Sequence, residues 1–286
     1  MSMRIDFHTH IFPESVVRDR DGHFDDTDFG ILYSSPKARM ATAGELLSAL
    51  DENGIDAAVV MGFPWADPDR LSRHNEYLLE SAHASGGRII PFRGLSAKDA
   101  DEVDRDIGLA RADGFLGIGE ISFYSEGLGA ESVGLLSAIL SAAREAALPV
   151  CLHVNEPVGH FYAGKYASDF AALYEAIRAV RGHPVVLAHW GGGILFYELM
   201  PEVREAFEGV YYDTAASPFL YRDDIYMAAR SIVGAGKILF ASDYPLTGYA
   251  RYLDAIEAAP FSVEEKRAVL GENACKLLGL RGLAHE

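Results

Sequence analysis

The chain has 286 residues, 49% of them hydrophobic and 23% charged, the makeup of an ordinary globular protein long enough for one large α/β barrel or two average domains. A formal charge of −17 repels phosphate backbones and argues against nucleic acid as a partner, and no apolar run approaches the ~20 residues that span a bilayer. Cys151 and Cys275 lie in apolar settings and read as free thiols; the first apolar run begins at once, leaving no room for a signal peptide, so a cytoplasmic protein is expected.

In chain order, the first predicted strand covers about residues 3–8 and runs into His8-Thr9-His10. Side chains alternate along a strand, so residues two apart share a face and both imidazoles converge on one point, as a metal ion requires. Residues 14–41, with Asp19, Asp21, Asp25, Asp26 and Asp28, exceed the usual connection length and leave the strand's C-terminal end, where a substrate lid would sit. A helix near 42–53 starts on the capping box Thr42-x-x-Glu45 and stops at Gly54.

Further strands are predicted at about 56–62, 89–95, 115–121, 149–154, 184–190, 210–215 and 237–243. Between them, helical spacing recurs near 70–85, 99–112, 132–147, 168–181, 196–207, 222–234 and 248–258. Gly86, Gly182 and Gly236 fall where helices should stop, and Ser262-x-x-Glu265 opens another helix beyond the last strand. A second long connection, 155–167, carries Glu156, His160, Tyr162 and Lys165 after the fifth strand, and Arg93 lies near the end of the third. A cation there could bind a substrate carboxylate, which makes these five the candidate substrate contacts.

Eight strand–helix pairs without a long linker predict a (β/α)8 TIM barrel, parallel and eight-stranded, with extra C-terminal helices, over residues 1–286 as one domain. An open doubly wound sheet would usually carry a Gly-rich phosphate loop after its first strand; this chain has His8-Thr9-His10-Ile11-Phe12-Pro13 there. In a parallel barrel all C-terminal strand ends share one mouth. His8 and His10, Glu120 on strand four, His153 on five, His189 on six and Asp243 on eight would meet there as a metal site. Both acids have apolar neighbours in sequence, and a buried carboxylate needs a strong partner, most naturally a cation. His23, His74, His83, His183 and His285 read as surface residues, Trp190 and Phe219 as packing residues, and Asp213 as either a support for the site or a loop holder.

The segments His8-Thr9-His10-Ile11-Phe12-Pro13, Leu187-Ala188-His189-Trp190-Gly191-Gly192-Gly193, Ala241-Ser242-Asp243-Tyr244-Pro245-Leu246 and Gly271-Glu272-Asn273-Ala274 resemble the amidohydrolase superfamily, in particular its amidohydrolase-related branch. The resemblance covers nearly the whole chain, with Glu120 where relatives often carry a carboxylated lysine. It implies a metal-dependent hydrolase cleaving a C–N or C–O bond of a small molecule. His8, His10 and Asp243 would hold one ion, with Glu120 able to bridge to a second held by His153 and His189. Asp243 would take the proton of the attacking water, while a histidine, His189 among them, would help polarise the carbonyl. Zn²⁺ is the expected ion, with Mn²⁺, Co²⁺, Ni²⁺ or Fe²⁺ also compatible, at one or two per chain. The branch divides in its chemistry, so the alternative is a metal-dependent nonoxidative decarboxylase of an aromatic or unsaturated acid. A small-molecule substrate, no nucleic acid, no membrane and a homo-oligomer left open complete the expectation.

Overall fold

The computed structural model describes residues 2–96 and 100–280. Its eight strands are β1 (Ile5–Thr9), β2 (Ala57–Val60), β3 (Ile89–Arg93), β4 (Gly117–Ile121), β5 (Val150–Leu152), β6 (Val185–Leu187), β7 (Val210–Asp213) and β8 (Ile238–Leu239). All neighbours pair in parallel in sequence order. The ring closes where Phe7 N–H donates to the Phe240 carbonyl (2.8 Å) and Asp243 N–H to the His8 carbonyl (2.9 Å). Helices cover the outside, as predicted, and no helix among the described residues is long and apolar enough to cross a membrane.

Strand alternation sorts the apolar residues into two layers. Ile5, Phe7, Val59, Phe92, Val186 and Leu239 fill the barrel interior, while Ala58, Val60, Ile118, Leu152 and Leu187 pack against the helices. The longer helices are held by a buried stripe and local stop signals. In Ala43–Asn53, Thr42 and Glu45 form the capping box, Leu46 and Leu50 are buried, and Gly54 ends the helix at φ 63°. The C-terminal segment closes the barrel's lower end: Ala274, Leu277 and Leu278 pack on the interior cluster.

The structure departs from three expectations of the sequence. Residues 14–41 are no plain loop; they hold the helix Glu14–Arg18, the 3₁₀ turn Arg20–His23 and the helix Thr27–Tyr33, whose cap Asp26 accepts from Phe29 N–H. The predicted helix 196–207 is reduced to Pro201–Ala206, because Gly191, Gly192 and Gly193 hold positive φ of 62°, 59° and 94° and coil the chain tightly through His189–Leu199. Two histidines read as surface residues are buried. His74 shares its helix's inward face with Leu78, stacks on Phe12 at 5.0 Å and donates through Nε2 to the Ile11 carbonyl, and burial lowers its pKa to about 4. His183 lies under the barrel, also lowered to about 4 by burial, and His285 lies outside the described residues.

The lower closure yields a prediction. A Cβ at Gly271 would stand 2.0 Å from the Met3 carbonyl oxygen, a clash with backbone directly beneath β1. Gly271→Ala should cost about 2–3 kcal/mol and lower Tm by roughly 5 °C in thermal unfolding; an unchanged Tm would show that this contact is not needed to close the barrel.

Candidate metal centre

Two register slips aim the site residues. In β1, Asp6 pairs with Ala58 but Thr9 with Val60, so three residues face two. Ile5 and Phe7 point inward; strict alternation would turn His8 and His10 outward, and the bulge brings both to the mouth instead. In β4, Ile118 and Ile121 both face the helices, and the same slip between them turns Glu120 inward. Gly119 makes that bulge possible: its φ is 138°, and a Cβ would lie 2.6 Å from the Cys151 carbonyl oxygen. His189 and Asp243 take the left-handed region, φ 56° and 60°, uncommon for residues with a side chain. At His189 this break replaces alternation, since Val186 and Ala188 already face inward.

The six residues come together. His8 Nε2 lies 3.1 Å from His10 Nε2, and His10 Nε2 lies 3.2 Å from Asp243 Oδ1. Glu120 sits between two imidazole pairs: Oε1 is 2.9 Å from His153 Nδ1 and 3.6 Å from His189 Nε2, while Oε2 is 3.6 Å from His8 Nε2 and 3.8 Å from His10 Nε2. Ligand atoms of His8, His10 and Asp243 lie within 4.8 Å of one another, as do those of Glu120, His153 and His189. A third such group, His8, Cys151 and Asp213, is ill suited, because burial pushes the Cys151 thiol up to about 12 and keeps it protonated.

Asp213 is fully buried and organises two of the imidazoles. Its Oδ2 accepts from His8 Nδ1 at 2.8 Å, and its Oδ1 accepts from the backbone N–H of His189 (2.8 Å) and Ala215 (3.0 Å). His189 Nδ1 faces the Ala215 carbonyl at 3.2 Å, which can only accept, so in the neutral ring the Nε2 lone pair faces the cluster. Burial works against charge on His189, yet the carboxylates of Glu120, Asp243 and Asp213 prevail and raise its pKa to about 9; His8 is raised likewise by Glu120 and Asp213. Burial also opposes ionisation of Asp243, but His10, His8 and His189 bring it down to about 2, and Glu120 is held well below the carboxylate range. A pocket that draws protons onto its imidazoles demands positive charge, and a divalent ion would meet that demand through the same nitrogen and oxygen donors.

Above the cluster lies a cavity of about 420 Å³. Of the predicted substrate contacts, His160 and Tyr162 line it. Arg93 does not: it falls on the outward parity of β3, pairs with Asp113 at 3.3 Å and lies over Phe115. Lys165 staples its own loop by donating to the Val158 (2.6 Å) and His160 (3.1 Å) carbonyls, and Glu156 accepts from Tyr162 Oη at 2.8 Å. Trp190 is buried with its Nε1 on Ser217 Oγ, whereas Phe219, read as packing, is half exposed on the cavity wall. Sequence reasoning missed Tyr33, Lys37, Arg39 and Tyr124, which also line the cavity. Three of them lie in segment 14–41, whose unusual length is their signal in the sequence; its acids serve other ends. Of these, Asp26 caps a helix and Asp25 pairs with Arg70.

A family model described as amidohydrolase matches residues 5–280. No curated protein matches the chain in sequence. Among solved structures, a dihydroxybenzoic acid decarboxylase from Polaromonas sp. JS666, with bound manganese and the inhibitor 2-nitroresorcinol, is 18% identical with a TM-score of 0.70, covering 99% of this chain and 98% of its own. A 5-carboxyvanillate decarboxylase from Sphingomonas paucimobilis gives 17% and 0.74 over 98% and 99%. A probable 2-pyrone-4,6-dicarboxylic acid hydrolase from Acinetobacter baumannii, with citric acid bound, gives 18% and 0.61 over 96% and 99%. At these identities the likeness is one of fold.

The electrostatics predict how the metal-free protein responds to pH. A raised imidazole pKa stabilises the fold fully below its ordinary value of 6.5, and for His189 that contribution is lost as pH rises through about 9. Without metal, Tm should therefore fall between pH 7 and about pH 9.5, and a saturating divalent ion should flatten the curve. Equal slopes with and without the ion would show that the cluster does not bind it.

Proposed function

The chain belongs to the amidohydrolase family, and from that premise we propose that it is a metal-dependent enzyme that removes CO₂ from an aromatic carboxylic acid without oxidation. The observation that carries this reading is the cavity itself: an imidazole–carboxylate floor beneath walls that include Phe63, Tyr124 and Phe219, a shape for a flat ring with one acidic end. Decarboxylases of dihydroxybenzoic acid and carboxyvanillate among the structures of like fold support it over hydrolysis. The manganese bound in one of them favours Mn²⁺ over the Zn²⁺ expected from ligand type alone.

His8, His10 and Asp243 would hold one ion, and Glu120, His153 and His189 are placed for a second. When bound, a divalent ion would supply a Lewis acid that holds and orients the substrate's oxygens. The protein's own groups do the rest. The aromatic walls seat the ring and exclude water, and the reacting ring carbon needs a proton as the bond to the carboxylate breaks. Asp243, 17% exposed at the cavity floor, is the group to deliver it. It is ionised in the free protein, so it must first take up a proton from solvent at the mouth as the substrate binds. Asp243 passes that proton to the ring carbon, the electron pair of the broken C–C bond restores the ring, CO₂ leaves, and solvent at the mouth reprotonates the site. One observation favours hydrolysis as a second reading: Glu120 offers one oxygen to each imidazole pair, the arrangement of a carboxylate bridging two ions.

Metal-loaded protein assayed on hydroxylated benzoic acids should release CO₂, and Asp243→Asn should slow that release by roughly 10² or more. Incorporation of labelled oxygen from water into products of lactones or amides, with no CO₂ from any acid, would replace the decarboxylase reading with the hydrolytic one.

Metal analysis should find one to two ions per chain. Asp213→Asn, which loosens His8 and His189 without removing a ligand, should raise the metal Kd about 10–100-fold. Unchanged affinity in a direct metal titration would remove Asp213 from the support of the site.

A further inference from the structure

The cavity has two electrically different ends. Glu120 and Asp243 lie at its floor, whereas Lys37 and Arg39 line its mouth, the only lysine and arginine to do so among the described residues. Neither has a carboxylate partner among the described residues. Between the ends the walls are apolar, with Leu32, Phe63, Phe219 and Leu246.

The segment that presents the two cations is anchored. Arg20 Nη1 donates to the Ala38 carbonyl at 3.1 Å, between them; Lys37 N–H donates to Ser35 Oγ at 3.3 Å; and Phe12 N–H donates to the Ala41 carbonyl at 2.8 Å just beyond. In a chain of net charge −17, most surfaces repel an approaching anion. These two cations at the cavity mouth reverse that field where a substrate would pass. An acid with a single charge satisfies only the floor. An acid with a second charge at its far end satisfies both.

We propose that Lys37 and Arg39 form an anion subsite that recognises a second acidic group on the substrate, remote from the carboxylate that is lost. The substrate class is then an aromatic acid carrying a further oxyanion across the ring system. This rests on the decarboxylase reading for the identity of the reacting group, but the subsite can be read by binding alone. Both cations are exposed, so their effect is screened by salt and amounts to about tenfold in affinity at low ionic strength.

The test measures equilibrium binding of isophthalate against benzoate, and of naphthalene-2,6-dicarboxylate against 2-naphthoate, to manganese-loaded protein by calorimetry. At least one dianion should bind about tenfold tighter than its monoanion. That preference should fall to about twofold or less in the double variant K37Q/R39Q, and added salt should narrow it. An unchanged Tm in the variant, expected for two exposed side chains, shows that the fold is intact. No preference in the unaltered protein, or a variant that weakens monoanions and dianions alike, would overturn the subsite. The two readings fail separately. A dianion preference with no CO₂ from any acid removes the decarboxylase and leaves the subsite; CO₂ release without that preference does the opposite.

Discussion

Glu120, Asp213 and Asp243 stand within reach of four imidazoles in a place where His8 and Asp213 have no exposure to solvent at all. Carboxylates in such a setting are tolerated only when matched by positive charge. Without a metal, protons on His8 and His189 supply it, at the expense of burying charged imidazoles. The local backbone reflects the same requirement. Bulges in β1 and β4 and left-handed turns at His189 and Asp243 are departures from regular strands, and each of them turns a donor toward the cluster.

Much of the barrel was legible in the sequence, because parallel strands buried on both faces read as apolar runs separated by helical spacing. The candidate ligands were legible as residue types at strand ends, but the direction each would face was not. Simple alternation, applied from Ile5 and Phe7, sends His8 and His10 outward, and from Ile118 it sends Glu120 outward as well. Only the pairing partner reveals a register slip, so a single sequence carries no sign of it beyond Gly119. The same parity, undisturbed in β3, carries Arg93 to the helix layer. The last strands were predicted too long for a related reason: β6 and β8 stop early because their ends leave the sheet to form the mouth.

Around the cluster the chain builds a mouth from two insertions of different character. The segment after β1 rests on an aromatic body of Phe12, Phe29, Phe63 and Trp65, with His74 stacked against it, so it is a packed extension of the fold. The connection after β5 is seated by one buried ring, Tyr166, and otherwise by polar contacts, Lys165 to two carbonyls and Tyr162 to Glu156. Packing of the first kind fixes position closely, while a polar staple yields more readily. The wall that carries Tyr33 is therefore the stiffer of the two, and the wall that carries His160 and Tyr162 the more adaptable.

The closure of the ring between β8 and β1 also sets when the site can exist. His8 and His10 leave the ribosome long before Asp243, the β8 contact that completes the ring and the segment seated beneath Met3. At roughly 5–20 residues per second, synthesis separates the first ligands from their final partner by on the order of ten seconds or more. During that interval the nascent chain offers a bare His-x-His, a weak and unselective binder open to whichever ion is abundant. On the proposed metal-dependent reading, selection among metals belongs to the finished barrel, and the ion it holds is decided after translation, by exchange.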